Sequence, residues 1–142
     1  MSQWLEMRIQ EEKERRDREA RTLERLPSAL EEVHGELRDC IANYTAAFGA
    51  QTAAVEADGG KLRVTVRDEQ GGEWVARATV EVAAVPELPG FRIERGQQPR
   101  LEIQVGLLPG DKLFYRDGDE YIGLAELSRR ILDRALFPKL AE

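Results

Sequence analysis

From Glu73 to Val85 the chain reads Glu-Trp-Val-Ala-Arg-Ala-Thr-Val-Glu-Val-Ala-Ala-Val, and every second residue from Trp74 to Ala84 is apolar. Successive side chains of a strand point to opposite faces, so the pattern predicts one dry face and one wet face. Trp74, Ala76, Ala78, Val80, Val82 and Ala84 form the dry set, while Glu73, Arg77, Thr79 and Glu81 alternate with them. The dry residues are small apart from Trp74, which lets a helix lie close against the strand.

The same alternation recurs on both sides. Residues 61–68 set Leu62, Val64 and Val66 against Lys61, Arg63, Thr65 and Arg67, and Phe91, Ile93, Leu101, Ile103, Val105 and Leu107 follow the same rule. Residues 52–57, 112–116 and 120–122 complete the series. Asp58-Gly59-Gly60, Gln70-Gly71-Gly72, Pro109-Gly110-Asp111 and Asp117-Gly118 separate the runs with turn residues. Connections this short join antiparallel neighbours, so the sequence predicts a meander of five to seven strands.

Helical patterns flank the sheet. After Pro27, the apolar residues Leu30, Val33, Leu37, Ile41, Tyr44 and Phe48 fall at steps of three and four, the stripe of an amphipathic helix. Ser28 and Glu31 have the spacing of a capping box, and Gly49 stands where a helix would end. At the other end of the chain, Leu124, Leu127, Ile131, Leu132, Ala135 and Leu136 line one side of a helix that Pro138 stops. A two-faced helix after a one-faced sheet is expected to cover it. The expected fold is therefore α+β: N-terminal helices, the meander, and a C-terminal amphipathic helix on one face of the sheet.

Residues 1–26 differ from the rest. Glu11 precedes Arg15, Glu12 precedes Arg16, Glu14 precedes Arg18 and Asp17 precedes Arg21, each by four residues, the orientation that supports a helix. Apart from Ala20 the middle of this segment has no apolar stripe, so it cannot bury itself in a core. We expect a charged helical arm over residues 1–26, broken or kinked at Pro27, joined to one α+β domain over residues 27–142. Trp4, Leu5, Met7 and Ile9 sit at its far end, where a lone chain offers nothing to cover them. Contact with a second copy of the chain, giving a homodimer, or with another protein explains them.

Charge bounds the partners. A net charge of -6 and a pI near 5.0 oppose general binding to nucleic acid or to anionic membrane. Cys40 is the only cysteine, so no disulfide forms within the chain, and the opening residues lack the apolar core of a secretory signal; the cytoplasm is the expected compartment.

Chemistry is sparse. His34 and Cys40 are six residues apart on a helix, out of phase for a shared metal site or a nucleophile–base pair. Ser2, Ser28 and Ser128 have no base beside them, and the acidic turn Asp117, Asp119, Glu120 lacks the ligand set of a calcium loop. No catalytic, cofactor-binding or metal site is assigned. On the wet face, Arg63, Arg67, Arg77, Arg92 and Arg100 project together if the strands pair in order, either salt-bridged to Glu81, Glu94 and Glu102 or open to an anion or acidic peptide. The expected function is that of a non-enzymatic interaction or assembly protein that self-associates through the arm. The alternative is a module binding a small apolar ligand between sheet and helices, near Trp74, Phe91 and Tyr44.

Overall fold

A computed structural model describes residues 2–140. One helix, α1 (Gln3–Phe48), precedes seven strands: β1 (Ala53–Asp58), β2 (Lys61–Gln70), β3 (Glu73–Val85), β4 (Gly90–Glu94), β5 (Leu101–Leu108), β6 (Lys112–Asp117) and β7 (Glu120–Ile122). Helix α2 (Leu124–Leu136) follows. The strands form one sheet in chain order, each antiparallel to the next, so the meander read from the turns is the observed topology. Gly59 and Gly60 both take positive φ between Asp58 and Lys61, as do Gly71 and Gly72 between Gln70 and Glu73. Two-residue hairpin turns need that conformation at both positions, and glycine reaches it without steric cost.

One face of the sheet carries the core. Leu62, Val64, Val66, Val80, Val82, Phe91, Ile93, Ile103 and Val105 are buried beneath Leu26, Ala29, Val33, Leu37 and Ile41 of α1 and Leu127, Ile131 and Leu132 of α2. Each fully covered Leu, Ile or Phe contributes about 1.5–3 kcal/mol.

Two expectations need correction. The first concerns Pro27. α1 is a continuous helix of 46 residues with Pro27 inside it, and Ser28 and Glu31 lie in mid-helix rather than at a cap. Burial explains the continuity. Thr22 and Leu26 before the proline and Ala29 and Val33 after it are all buried, so one unbroken stripe rests on the sheet. Arg21 and Arg25 reinforce the upstream side by reaching the β5–β6 turn, at Asp111 Oδ1 (2.9 Å) and the Asp111 carbonyl (2.7 Å). Breaking the helix would uncover Thr22 and Leu26, which outweighs one lost backbone hydrogen bond.

The second concerns the start of β3. Pairing between β2 and β3 shifts register at Val66/Arg67, so that Val66 faces Ala78 while Arg67 faces Ala76. The extra residue is Arg77. A bulge of this kind reverses the alternation beyond it. Ala76 and Trp74 therefore move to the outer face, and Trp74 is 39% exposed. The dry face of β3 runs only from Ala78 onward.

Candidate interaction surface

Arg21 ties the arm to the sheet through Asp111. Upstream, Gln3 to Ala20 extends outward as helix for about 27 Å at 1.5 Å per residue. Its surface is laced by its own ion pairs. Arg8 bonds Glu11, Arg16 bonds Glu12, Arg21 bonds Asp17, and Arg15 bridges Glu12 and Glu19. Hydrogen bonds from Arg15 and then Arg16 hold the Glu12 carboxyl down at about 2. Two of the four expected pairs form, Glu12–Arg16 and Asp17–Arg21, while Arg15 turns to Glu12 and Glu19 instead of Glu11.

At the end of this rod Trp4 is 67% and Met7 58% exposed, with Leu5 and Ile9 exposed beside them. They cover more than half the circumference of the helix, because Trp4 and Met7 lie on one side and Leu5 and Ile9 on the other. Among the described residues all four stay exposed to solvent.

At the base of the arm is an apolar groove of about 580 Å³. Leu23, Leu26, Pro27 and Leu30 wall it on one side and Ala57, Leu62, Ala84 and Pro86 on the other, with Glu31, His34 and Lys61 at its lip. A second cleft of about 440 Å³ lies between α1 and α2, lined by Cys40, Tyr44, Phe48, Leu132, Leu136 and Phe137. The rings of Tyr44, Phe48 and Phe137 contact one another there. The aromatic trio expected around a ligand is not assembled. Phe91 is sealed in the core at 0% exposure, Trp74 is outside at the end of β3, and Tyr44 lines the inter-helix cleft.

On the outer face, Arg63 pairs with Glu81 (3.1 Å), Arg92 with Glu102 (3.7 Å) and Arg100 with Glu94 (2.7 Å). Arg67 lies on this face opposite Ala76. Arg77 does not. The bulge turns it to the helix side, where it pairs with Asp68 (3.2 Å) and donates toward the Leu136 carbonyl at the end of α2. Phe114 and Tyr121 also meet on the outer face, beside Arg116 and Gln104, a contact that needs the β6–β7 register to be foreseen.

Three of the groups considered for chemistry, the acidic turn, Cys40 and Ser128, have partners within the fold. The Asp117–Glu120 turn is held by Arg130 of α2, which binds Asp117 (2.6 Å), Glu120 and Glu126 (3.2 Å). Hydrogen bonding to Glu120 first, then to the other carboxylates, raises the Arg130 pKa. Cys40 Sγ lies 3.8 Å from Ser128 Oγ, and Ser128 donates its proton to the Ala125 carbonyl. Tyr115 donates to Glu32 (3.1 Å), and burial followed by the Glu32 charge pushes its phenol up. Among the described residues no group of three His, Cys, Asp or Glu side chains is placed to hold a metal ion. No helix among them is long and apolar enough to cross a membrane.

No family model, curated protein or solved structure matches the chain.

Proposed function

We propose that this chain is a non-enzymatic interaction protein that assembles with itself through the N-terminal arm. One observation carries the reading: four large apolar side chains, Trp4, Leu5, Met7 and Ile9, stand exposed at the tip of a helix that has already left its own domain. Burying them between two chains recovers about 25 cal/mol per Å² of apolar surface. An ion-paired rod with no core of its own serves to hold that tip at a distance. Assembly of this kind fits a protein of the cell interior.

The test is light scattering of the full chain beside its Trp4→Ser/Ile9→Ser variant and a chain lacking residues 1–10. Neither change touches a buried residue among those described, so all three should show the same cooperative unfolding, the truncated chain losing only the helical signal of residues 3–10. The full chain should have twice the monomer mass at micromolar concentration and the other two the monomer mass. A full chain that stays monomeric sinks the proposal.

The apolar cleft between α1 and α2 supports a second reading, a module for a small apolar ligand, because its volume of about 440 Å³ falls within the usual range of ligand sites. An apolar fluorophore displaced by Tyr44→Lys would favour it.

A further inference from the structure

We propose that the cleft between the middle of β3, the β4–β5 loop and the last turn of α2 binds a small organic phosphate through Arg77, Arg95 and Arg134. Its origin lies in the strand lengths. β4 ends at Glu94, opposite Glu81 of β3. Residues 77–80 of β3 therefore run on with no strand against that edge, and they line a cleft of about 660 Å³. The bulge in β3 turns Arg77 to the helix side of the sheet. Arg95 joins it from the loop after β4, and Arg134 from the end of α2.

The lining is one-sided in charge. Three guanidinium groups meet there, and among the described residues no carboxylate lines the cleft. Glu126 and Asp133 line the neighbouring hollow, which shares Arg95 and Arg134. Arg77 is met by Asp68 at 3.2 Å. Arg95, half-buried, is held by neutral groups. It donates to the Arg130 carbonyl (3.0 Å) and the Pro99 carbonyl (2.8 Å), and among the described residues it pairs with no carboxylate. Its Nε is buried without a hydrogen bond. Burial holds the Arg95 guanidinium below its ordinary value; Asp117 pulls it up, and Arg134 pushes it further down. Asp117 is itself bound to Arg130 at 2.6 Å. The two carbonyls fix the Arg95 side chain in place but carry only partial charge, so most of its positive charge is left for a ligand.

Chemistry and size together select the ligand. A guanidinium presents paired donors that match phosphate oxygens, and a phosphate ester carries about −1.5 to −2 charges at pH 7. Such a dianion placed between Arg95 and Arg134 relieves the repulsion between them. Thr79, Gln97 and Gln98 add neutral donors to the walls. A bare phosphate would leave most of the cleft unfilled, whereas the volume falls in the range of small organic ligands, roughly 300–1,000 Å³. Val80, Ala135 and Pro138 supply apolar wall for the organic part. The net charge of -6 opposes a nucleic acid in its place.

Isothermal titration calorimetry of the full chain with phenyl phosphate at fixed ionic strength tests this. Binding with a Kd below about 1 mM is expected. Arg134 is exposed, so Arg134→Glu should keep the fold while weakening binding by about ten-fold or more. Arg63→Glu makes the same change in net charge on the outer face and should leave the affinity within about two-fold. Arg95→Gln should also lose about ten-fold, and if that chain fails to fold, Arg134→Glu decides alone. Inorganic phosphate should bind about ten-fold more weakly than phenyl phosphate. No binding, equal weakening by Arg134→Glu and Arg63→Glu, or equal affinity for inorganic phosphate would each overturn the proposal.

Discussion

Replacing Pro27 with alanine isolates the cost of keeping α1 in one piece. A proline within a helix removes the hydrogen bond to the carbonyl four residues back, here Leu23, and crowds that carbonyl with its ring. Relative to alanine this costs about 3 kcal/mol. Proline also stiffens the unfolded chain, which returns about 0.4–1 kcal/mol. Pro27 is exposed, so its removal sacrifices little buried surface. The net expectation is that Pro27→Ala stabilises the protein by about 2 kcal/mol. For 142 residues this is roughly 6–8 °C in Tm, read by thermal or urea denaturation followed by circular dichroism. A Pro27→Gly variant, carrying the glycine penalty of about 1 kcal/mol, should fall between the two. An unchanged or lowered Tm for Pro27→Ala would refute the account, because it would mean that the proline sits at a real helix boundary.

The two glycines packed inside the sheet should respond differently to alanine. At Gly90 the new methyl meets the Ile103 backbone, which has no means of moving aside, whereas at Gly106 it meets only the Phe114 ring. Gly106→Ala should cost about 1–3 kcal/mol and be largely rescued by Phe114→Leu, while Gly90→Ala should cost more and resist rescue, as urea midpoints would show. Acidification should spare the arm until late. Hydrogen bonds from Arg15 and Arg16 lower the Glu12 carboxyl from its ordinary 4.5 to about 2, so its contribution is present above the unfolded value and disappears as pH falls from 4.5 through 2. The helical signal of Glu12→Gln should be lower than that of the parent at pH 7 and equal to it below about pH 2; equal signals at both pH values would show that the Glu12 pairs do not hold the helix.

Most of the fold was legible because the relevant signals are local. Gly59-Gly60 and Gly71-Gly72 name their turns, and the period of two in β2 and β5 names their faces. Two features were not legible, for related reasons. Pro27 is a local stop signal overruled by a tertiary stripe, since only the packed structure reveals that Thr22 and Leu26 already lie on the sheet. The alternation of β3 runs unbroken through Trp74 in the sequence, but its pairing with β2 is offset at Arg77, and nothing in one strand alone records its partner's register. Arg63 and Arg92, within regular ladders, meet Glu81 and Glu102 on the outer face, and Arg100, just before β5, meets Glu94. The exposed tip was legible residue by residue, while the groove required knowing where α1 meets β1, β2 and β3.

A sheet whose neighbours in space are all neighbours in sequence can assemble like a zip, one hairpin at a time. Loop-closure entropy along the meander is small at every step, which favours rapid formation. The exceptions are the ties from α1 to the far strands, Arg21 to Asp111 across 90 positions and Tyr115 to Glu32 across 83. The first-made helix is thus among the last parts to settle, since its seat is incomplete until the sixth strand has emerged.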